Sequence, residues 1–226
     1  MKARQQTSFL FDLDGTLVDS VYDHVLAWHS ALKSEGIEVS IWRIHRRIGM
    51  SGGLFTRALA RETGITFDDE VLARLRAHHA AHYNANSGNT RPLPGARELL
   101  KHLTDTQIPW AIATSGRMAT AGPVLKILGV DPDKVPVITR DMVLYAKPDP
   151  DLFLAAAEKL GIDIETSCVV GDSIWDMLAA QRARALAIGF LSGGYGEEEL
   201  QRAGAYRVFD DPAMMLAHID EVGGRR

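Results

Sequence analysis

The sequence predicts an α/β fold, a parallel sheet wrapped by helices on both faces and interrupted near its start by an all-helical insertion. Three observations carry this expectation. From residue 91 onward, short apolar runs alternate with stretches of 3.6-residue periodicity, the pattern of parallel strands joined by crossover helices. Residues 20 to 90 instead carry helical periodicity throughout and no convincing strand. Ahead of both, the apolar run Phe9-Leu-Phe11 leads directly into Asp12-Leu-Asp14-Gly15, a buried strand delivering carboxylates to a turn. Ligands of α/β sheets bind beyond the carboxyl ends of the strands, so the chemistry is expected at residues 12 to 16.

The elements follow in order. Asp12 and Asp14, two residues apart, share a face if the chain stays extended, but Gly15 allows a turn that presents Asp14 separately. Neighbouring acids repel unless a cation bridges them or their protonation states split; the same residues also suit a plain surface turn. Ser20 reads as the cap of a helix with the stripe Val21, Val25, Trp28 and Leu32, ending at Gly36. A short helical patch near 41 to 47 precedes Ile48-Gly-Met-Ser-Gly-Gly53, expected to be a flexible loop. A helix from Leu54 to Glu62 ends at Gly64. Residues 68 to 84 form another, with Val71, Leu72 and Leu75 inward. His78, His79 and His82 read as its solvated polar face rather than a metal site, despite the i, i+4 spacing of 78 and 82. Trp28, Trp42 and Trp175 read as packing residues.

The proline-bracketed hinge Arg91-Pro-Leu-Pro-Gly95 returns the chain to alternation. Helices are expected at 96 to 103, 123 to 128, 151 to 160, 175 to 183 and 212 to 219, and strands at 110 to 114, 135 to 138, 168 to 171, 186 to 190 and 206 to 209. Residues 223 to 226 read as a frayed tail. Residues 1–18 and 92–226 therefore form the core and 19–91 the insertion, with joints near Val18 to Ser20 and Asn89 to Pro94.

Composition narrows the class. The 226 residues are 46% hydrophobic and 24% charged, ordinary for a globular chain able to bury a core. A net charge of -4 offers no basic footprint, which discounts nucleic acid as a partner. A single cysteine, Cys168, excludes an intrachain disulfide and a cysteine metal cluster. No apolar run approaches the roughly 20 residues of a membrane span and no long apolar leader stands at the start, so the expected location is cytoplasmic. Oligomeric state is left open.

Three further strand ends carry groups a phosphate site wants. Thr114-Ser115-Gly116 offers two hydroxyls and backbone N–H donors, Lys147-Pro148 a cation before a helix start, and Gly171-Asp172 with Asp176 two more acids one helical turn apart. Each also reads as a turn, a solvated lysine or a helix cap.

Together, in this order over residues 9 to 176, Asp12-Leu-Asp-Gly-Thr-Leu17, Thr114-Ser115, Lys147-Pro148 and Gly171-Asp172 with Asp176 resemble the four signatures of the haloacid dehalogenase superfamily, which consists mainly of phosphatases. The resemblance implies a Rossmann-like core and a helical cap inserted between the first and second signatures, matching the helical reading of 19–91. It implies hydrolysis of a small-molecule phosphate ester, with Asp12 as the nucleophile that forms an aspartyl-phosphate and Asp14 as general acid and base. Thr114 or Ser115, nearby amides such as that of Gly116, and Lys147 would hold phosphate. Mg²⁺ would be ligated by Asp12, the Asp14 backbone carbonyl and Asp172, with Asp176 acting through water or supporting the shell.

Charge counting supports that demand: with Asp14 protonated, three carboxylates face Lys147 and one divalent cation, leaving a neutral pocket for a phosphate dianion. On this reading the Asp14 pKa is expected to be raised, chiefly by neighbouring negative charge.

Two alternatives stay open. His24 occupies roughly the place of a histidine that assists the acid/base step in β-phosphoglucomutase, although Gly52 and Gly53 stand where such mutases carry an arginine. A non-catalytic phosphate-binding module is the other, disfavoured by the intact acidic set. The segment Gly49, Met50, Ser51, Gly52 and Gly53 is expected to help select the leaving group.

Overall fold

The computed structural model describes residues 7–86, 88 and 90–224. The predicted joint at Asn89, and Arg225 and Arg226 of the predicted tail, lie outside them. The chain opens with β1 (Ser8–Phe11), whose every residue is buried, and turns through Asp12–Leu17 into β2 (Val18–Asp19). Four helices follow: α1 (Val21–Ser34), α2 (Ile41–His45), α3 (Gly52–Thr63) and α4 (Asp69–Asn86). Then β3 (Arg91–Pro92) pairs antiparallel with β2, Val18 opposite Pro92 and Asp19 opposite Arg91. The sequence reading missed this ladder, because a two-residue strand containing proline carries no periodicity.

Alternation then sets in with α5 (Ala96–Asp105), β4 (Trp110–Ala113), α6 (Met118–Leu128), β5 (Val137–Ile138), α7 (Asp151–Leu160), β6 (Ser167–Gly171), α8 (Ile174–Ala183), β7 (Leu186–Phe190), α9 (Glu197–Arg202), β8 (Ala205–Phe209) and α10 (Pro212–Ala217). The short α9 escaped the sequence reading: three glutamates open it and Leu200 is its one buried residue, so no stripe marks it. Gly223 and Gly224 are ordered against the last turn, the Gly224 amide bonding the Ile219 carbonyl at 2.9 Å, contrary to the frayed tail expected there.

The six-stranded sheet runs β5-β4-β1-β6-β7-β8, parallel at every pairing. Strand alternation splits the core into two layers. Phe9 and Phe11 of β1 face the layer holding Leu99, Leu103, Val124, Leu125 and Met215, whereas Leu10 faces Phe153, Ala156, Met177 and Ala180. Helices α5, α6 and α10 therefore cover one face and α7 to α9 the other. Fully burying each such side chain contributes about 1.5–3 kcal/mol. The chain leaves β1 toward β4 and leaves β6 toward β7, so their connections diverge at the crevice beyond β1 and β6. That crevice is where an open α/β sheet places its ligand.

The insertion has its own core, in which Val25, Trp28 and Leu32 of α1 meet Phe55, Leu59 and Leu75. Trp42, expected to pack, is instead 61% exposed, with the Arg43 guanidinium over its ring at 4.8 Å. No helix among the described residues is long and apolar enough to cross a membrane.

Gly95 shows how closely α5 and α10 approach. Its φ is +74°, and a Cβ there would lie 2.4 Å from the Ala213 Cα. Gly129 has a similar φ of +85° and open space around it. Gly95→Ala should therefore destabilise by about 2–4 kcal/mol and Gly129→Ala by about 1 kcal/mol, since only the former adds overpacking to left-handed strain. Urea unfolding of both variants checks this; equal losses would mean the α5–α10 contact yields freely.

Candidate active site

Four strand-end loops bring the predicted residues together. Asp12 follows β1, Thr114-Ser115-Gly116 follows β4, Lys147 lies beyond β5, and Asp172 follows β6, with Asp176 in the first turn of α8. Lys147 is fully buried and its Nζ binds Asp12 Oδ1 directly. The same ammonium lies 2.8 Å from Asp176 Oδ1, an oxygen that takes no directed hydrogen bond. The other Asp176 oxygen accepts from the Ser173 amide at 3.1 Å and from its hydroxyl, the capping box that starts α8. Asp172 accepts from the Thr16 hydroxyl at 2.8 Å.

Asp12, Asp172 and Asp176 each offer a carboxylate oxygen, all within 4.8 Å of one another and all buried. Three carboxylates thus face one ammonium. Burial, with repulsion from Asp176 and Asp14, pushes the Asp12 carboxyl up to about 7 in spite of Lys147. Burial and the charges of Asp176 and Asp12 hold Asp172 well above the usual carboxylate range. Backbone crowds this cluster: a Cβ on Gly193 would sit 1.9 Å, and one on Gly15 2.5 Å, from Asp172 Oδ2. Buried hard oxygen donors at this spacing, short of positive charge, fit a small divalent cation such as Mg²⁺.

Asp14 departs from its expected state. Burial pushes its carboxyl up, but the His24 imidazole and the Ser20 hydroxyl outweigh burial and bring it below the usual value. His24 Nε2 lies 3.2 Å from Asp14 Oδ1, and the Ser20 hydroxyl donates to the same oxygen at 2.6 Å. The expectation of a raised Asp14 counted the acids in front of it and overlooked the donors behind it. Ser20 begins α1 but makes no side-chain cap, since its hydroxyl serves Asp14 instead.

Asp14, Asp12, Thr114, Ser115 and Gly116 line a cavity of about 210 Å³, and His24, Gly49, Met50, Gly52 and Gly53 line its other wall. Lys147, Asp172 and Asp176 lie outside that lining and join it through Asp12. Ser51 is buried away from the cavity as the cap of α3, accepting from the Leu54 amide at 3.4 Å. The predicted loop 48 to 53 is not loop throughout, because Gly52 and Gly53 form the first turn of α3. This segment is tied to the core. The Ser51 amide donates to the Lys147 carbonyl at 3.1 Å and the Ser115 hydroxyl to the Gly49 carbonyl at 2.9 Å. Thr114 Oγ1 accepts from the Gly116 amide at 2.9 Å, so these two predicted phosphate donors are paired with each other here.

The sequence reading missed Thr16, Ser20, Tyr83 and His79. His79 is not on a solvated face: burial drives its imidazole down to about 2, its ring rests on Trp28 with centroids 4.4 Å apart, and it lines the cavity. The signal was present, since His79 stands midway between the buried Leu75 and Tyr83 at four-residue spacing. His78 bonds Ser30 at 3.1 Å, and no histidine metal cluster forms among the described residues. Arg47, Arg76, Arg117 and Arg140 also reach the cavity, cations that the search for a mutase-type arginine did not consider.

The haloacid dehalogenase-like hydrolase family model matches residues 7–184. A phosphoglycolate phosphatase of Agrobacterium fabrum is 33% identical over 94% of this chain and 91% of its own length. Hexitol phosphatase A of Escherichia coli is 35% identical over 73% of this chain and 74% of its own. Among solved structures, a hydrolase from Pseudomonas syringae superposes with a TM-score of 0.95 at 54% identity, covering 96% of this chain and 100% of that one. The converging strand-end acids and the buried lysine sit on the fold these relatives share, and the chain belongs to the haloacid dehalogenase-like hydrolases, on their phosphatase branch.

Proposed function

We propose that the protein hydrolyses a small phosphate monoester through a phosphorylated Asp12. The observation that carries this reading is the buried set Lys147, Asp12, Asp172 and Asp176, drawn from three separate connections and joined through Asp12 to one cavity. Asp12 Oδ forms the bond to phosphorus as the ester P–O bond breaks, and the leaving oxygen takes a proton from Asp14. Water then gives its proton to Asp14 and attacks phosphorus, releasing phosphate and restoring the Asp12 carboxylate. Asp14 is held ionised at rest, so the proton must be loaded with substrate; a phosphate dianion placed beside Asp14 favours its protonated form. Lys147 fixes the Asp12 carboxylate and balances charge at the point of attack.

Asp12, Asp172 and the Asp14 backbone carbonyl, with Asp176 in support, would hold Mg²⁺, which would supply neutralisation of the phosphoryl oxygens. The helical insertion acts as a cap. Its 45–51 segment lies over the strand ends, the His45 ring donating to the Gly193 carbonyl at 2.8 Å and Tyr195 to the Arg46 carbonyl at 2.9 Å. Trp28, Met50 and Phe55 form the apolar wall for the leaving group. A cavity of about 210 Å³ suits a compact ester, the size of the phosphoglycolate or hexitol phosphate for which the relatives are named.

The His24–Asp14 contact favours one second reading, a sugar-phosphate mutase. Incubation with β-glucose 1-phosphate and its bisphosphate separates the two, since isomerisation without net phosphate release would support the mutase.

In a panel of metabolite phosphates scored by kcat/KM, turnover should need Mg²⁺ and vanish with chelator. Asp12→Asn should lower kcat by at least about a thousandfold while the variant stays folded; near-native turnover would reject Asp12 as nucleophile. The rise in Tm on adding Mg²⁺ should grow between pH 5 and pH 8. Asp12, pushed up to about 7, keeps its proton at the lower pH and frees its carboxylate for the cation at the higher. A Mg²⁺ increment that stays flat across that range would contradict the assignment of Asp12 to the metal.

A further inference from the structure

Behind Asp14 lies a set of rings that the reaction as written leaves unused. His24 Nε2 faces Asp14 Oδ1 at 3.2 Å, and on the far side of the same ring His24 Nδ1 lies 3.1 Å from His79 Nε2. The two imidazoles are nearly parallel, at 12° with centroids 5.2 Å apart. Tyr83 stacks on His24 at 3.9 Å and Trp28 on His79 at 4.4 Å, so neither ring is free to turn over. His24 comes from α1, and His79 and Tyr83 from α4, which frames the cavity.

Proton counting assigns the roles. Asp14 Oδ1 already accepts from the Ser20 hydroxyl and has a second lone pair for His24, so the 3.2 Å contact places a His24 hydrogen on Nε2. On the far side of the ring, Nδ1 meets His79 Nε2, and with the hydrogen on either of these two nitrogens the bond ties the His24 ring to α4 while Nε2 stays facing Asp14.

We propose that His79 is a positioning residue that holds the His24 ring with Nε2–H facing Asp14, and so aims the acid/base carboxyl at the leaving oxygen. This rests on the reading of Asp14 as general acid and base. It makes α4 of the insertion a part of the catalytic apparatus as well as a wall of the cavity.

The test combines spectroscopy with kinetics. In the wild-type protein labelled with ¹⁵N-histidine, two-bond ¹H–¹⁵N spectra should show His24 protonated at Nε2; a ring bare at Nε2 would overturn the proposal without any variant having to fold. On the best alkyl phosphate of the substrate panel, His79→Phe keeps the stacked ring and removes its nitrogens. It should lower kcat about tenfold with KM within about twofold, a fraction of the 10²–10⁴ typical of acid/base assistance. His79→Gln, whose amide can donate or accept, should recover most of the loss. In a His24→Phe background, His79→Phe should cost nothing further, because the two act in series. A raised KM at constant kcat, a failed rescue by glutamine, or additive losses in the double variant would each overturn the role. Failure of the underlying reading looks different: Asp14→Asn would itself retain turnover, whatever the histidine variants do.

Discussion

The structure depends on one buried ammonium. Lys147 has no exposure to water, and its charge is tolerable only because Asp12 and Asp176 meet it from two other loops. Breaking such a pair leaves an uncompensated charge and typically destabilises by about 3–5 kcal/mol, so the loops after β1 and β5 and the start of α8 are held in mutual register by electrostatics. The topology makes this possible. Because β1 lies between β4 and β6, the turn after it opens where the neighbouring connections diverge, and residues more than a hundred positions apart converge there. The arrangement that stabilises the fold is also the one that poises Asp12, since the surplus of acids over cations that pushes its carboxyl up to about 7 leaves room for a divalent cation.

Around that centre, acids of different character are separated by environment. Asp12 and Asp172 are raised by burial and by the charge of Asp176, whereas Asp14, only two residues from Asp12, is brought low by His24 and Ser20 against the same burial. Divergent environments for neighbouring carboxyls are the usual physical basis for dividing nucleophilic from acid/base work. The helical insertion contributes to the division, because the donors to Asp14 come from the start of α1 and are backed by rings on α4.

Much of this was legible in the chain, and what was not has physical causes. The run Phe9-Leu-Phe11 ending in two acids declared a buried strand and a site, and Lys147, Asp172 and Asp176 were identifiable because each stands at the end of a recognisable strand or at the start of a helix. Element boundaries set by tertiary pairing were less visible: the β2–β3 ladder is too short for periodicity, and α9 buries Leu200 alone. Side-chain partnership across elements was the least readable. Ser20 looked like a cap and serves Asp14; His79 looked solvated and packs on Trp28; Trp42 looked buried and stands in solvent beneath Arg43. The first two errors came from reading a residue against its own helix when its partner lies on another element.

The central claim is that Asp12 carries the phosphoryl group between substrate and water. An acyl phosphate is reduced by borohydride to the alcohol, so quenching the enzyme into borohydride during steady-state turnover and mapping its peptides reads that group directly. Asp12 should be converted to homoserine only when substrate and Mg²⁺ are both present, with Asp14 and Asp172 unmodified. Sustained turnover with Asp12 unreduced, or reduction at a different carboxylate, would contradict the account.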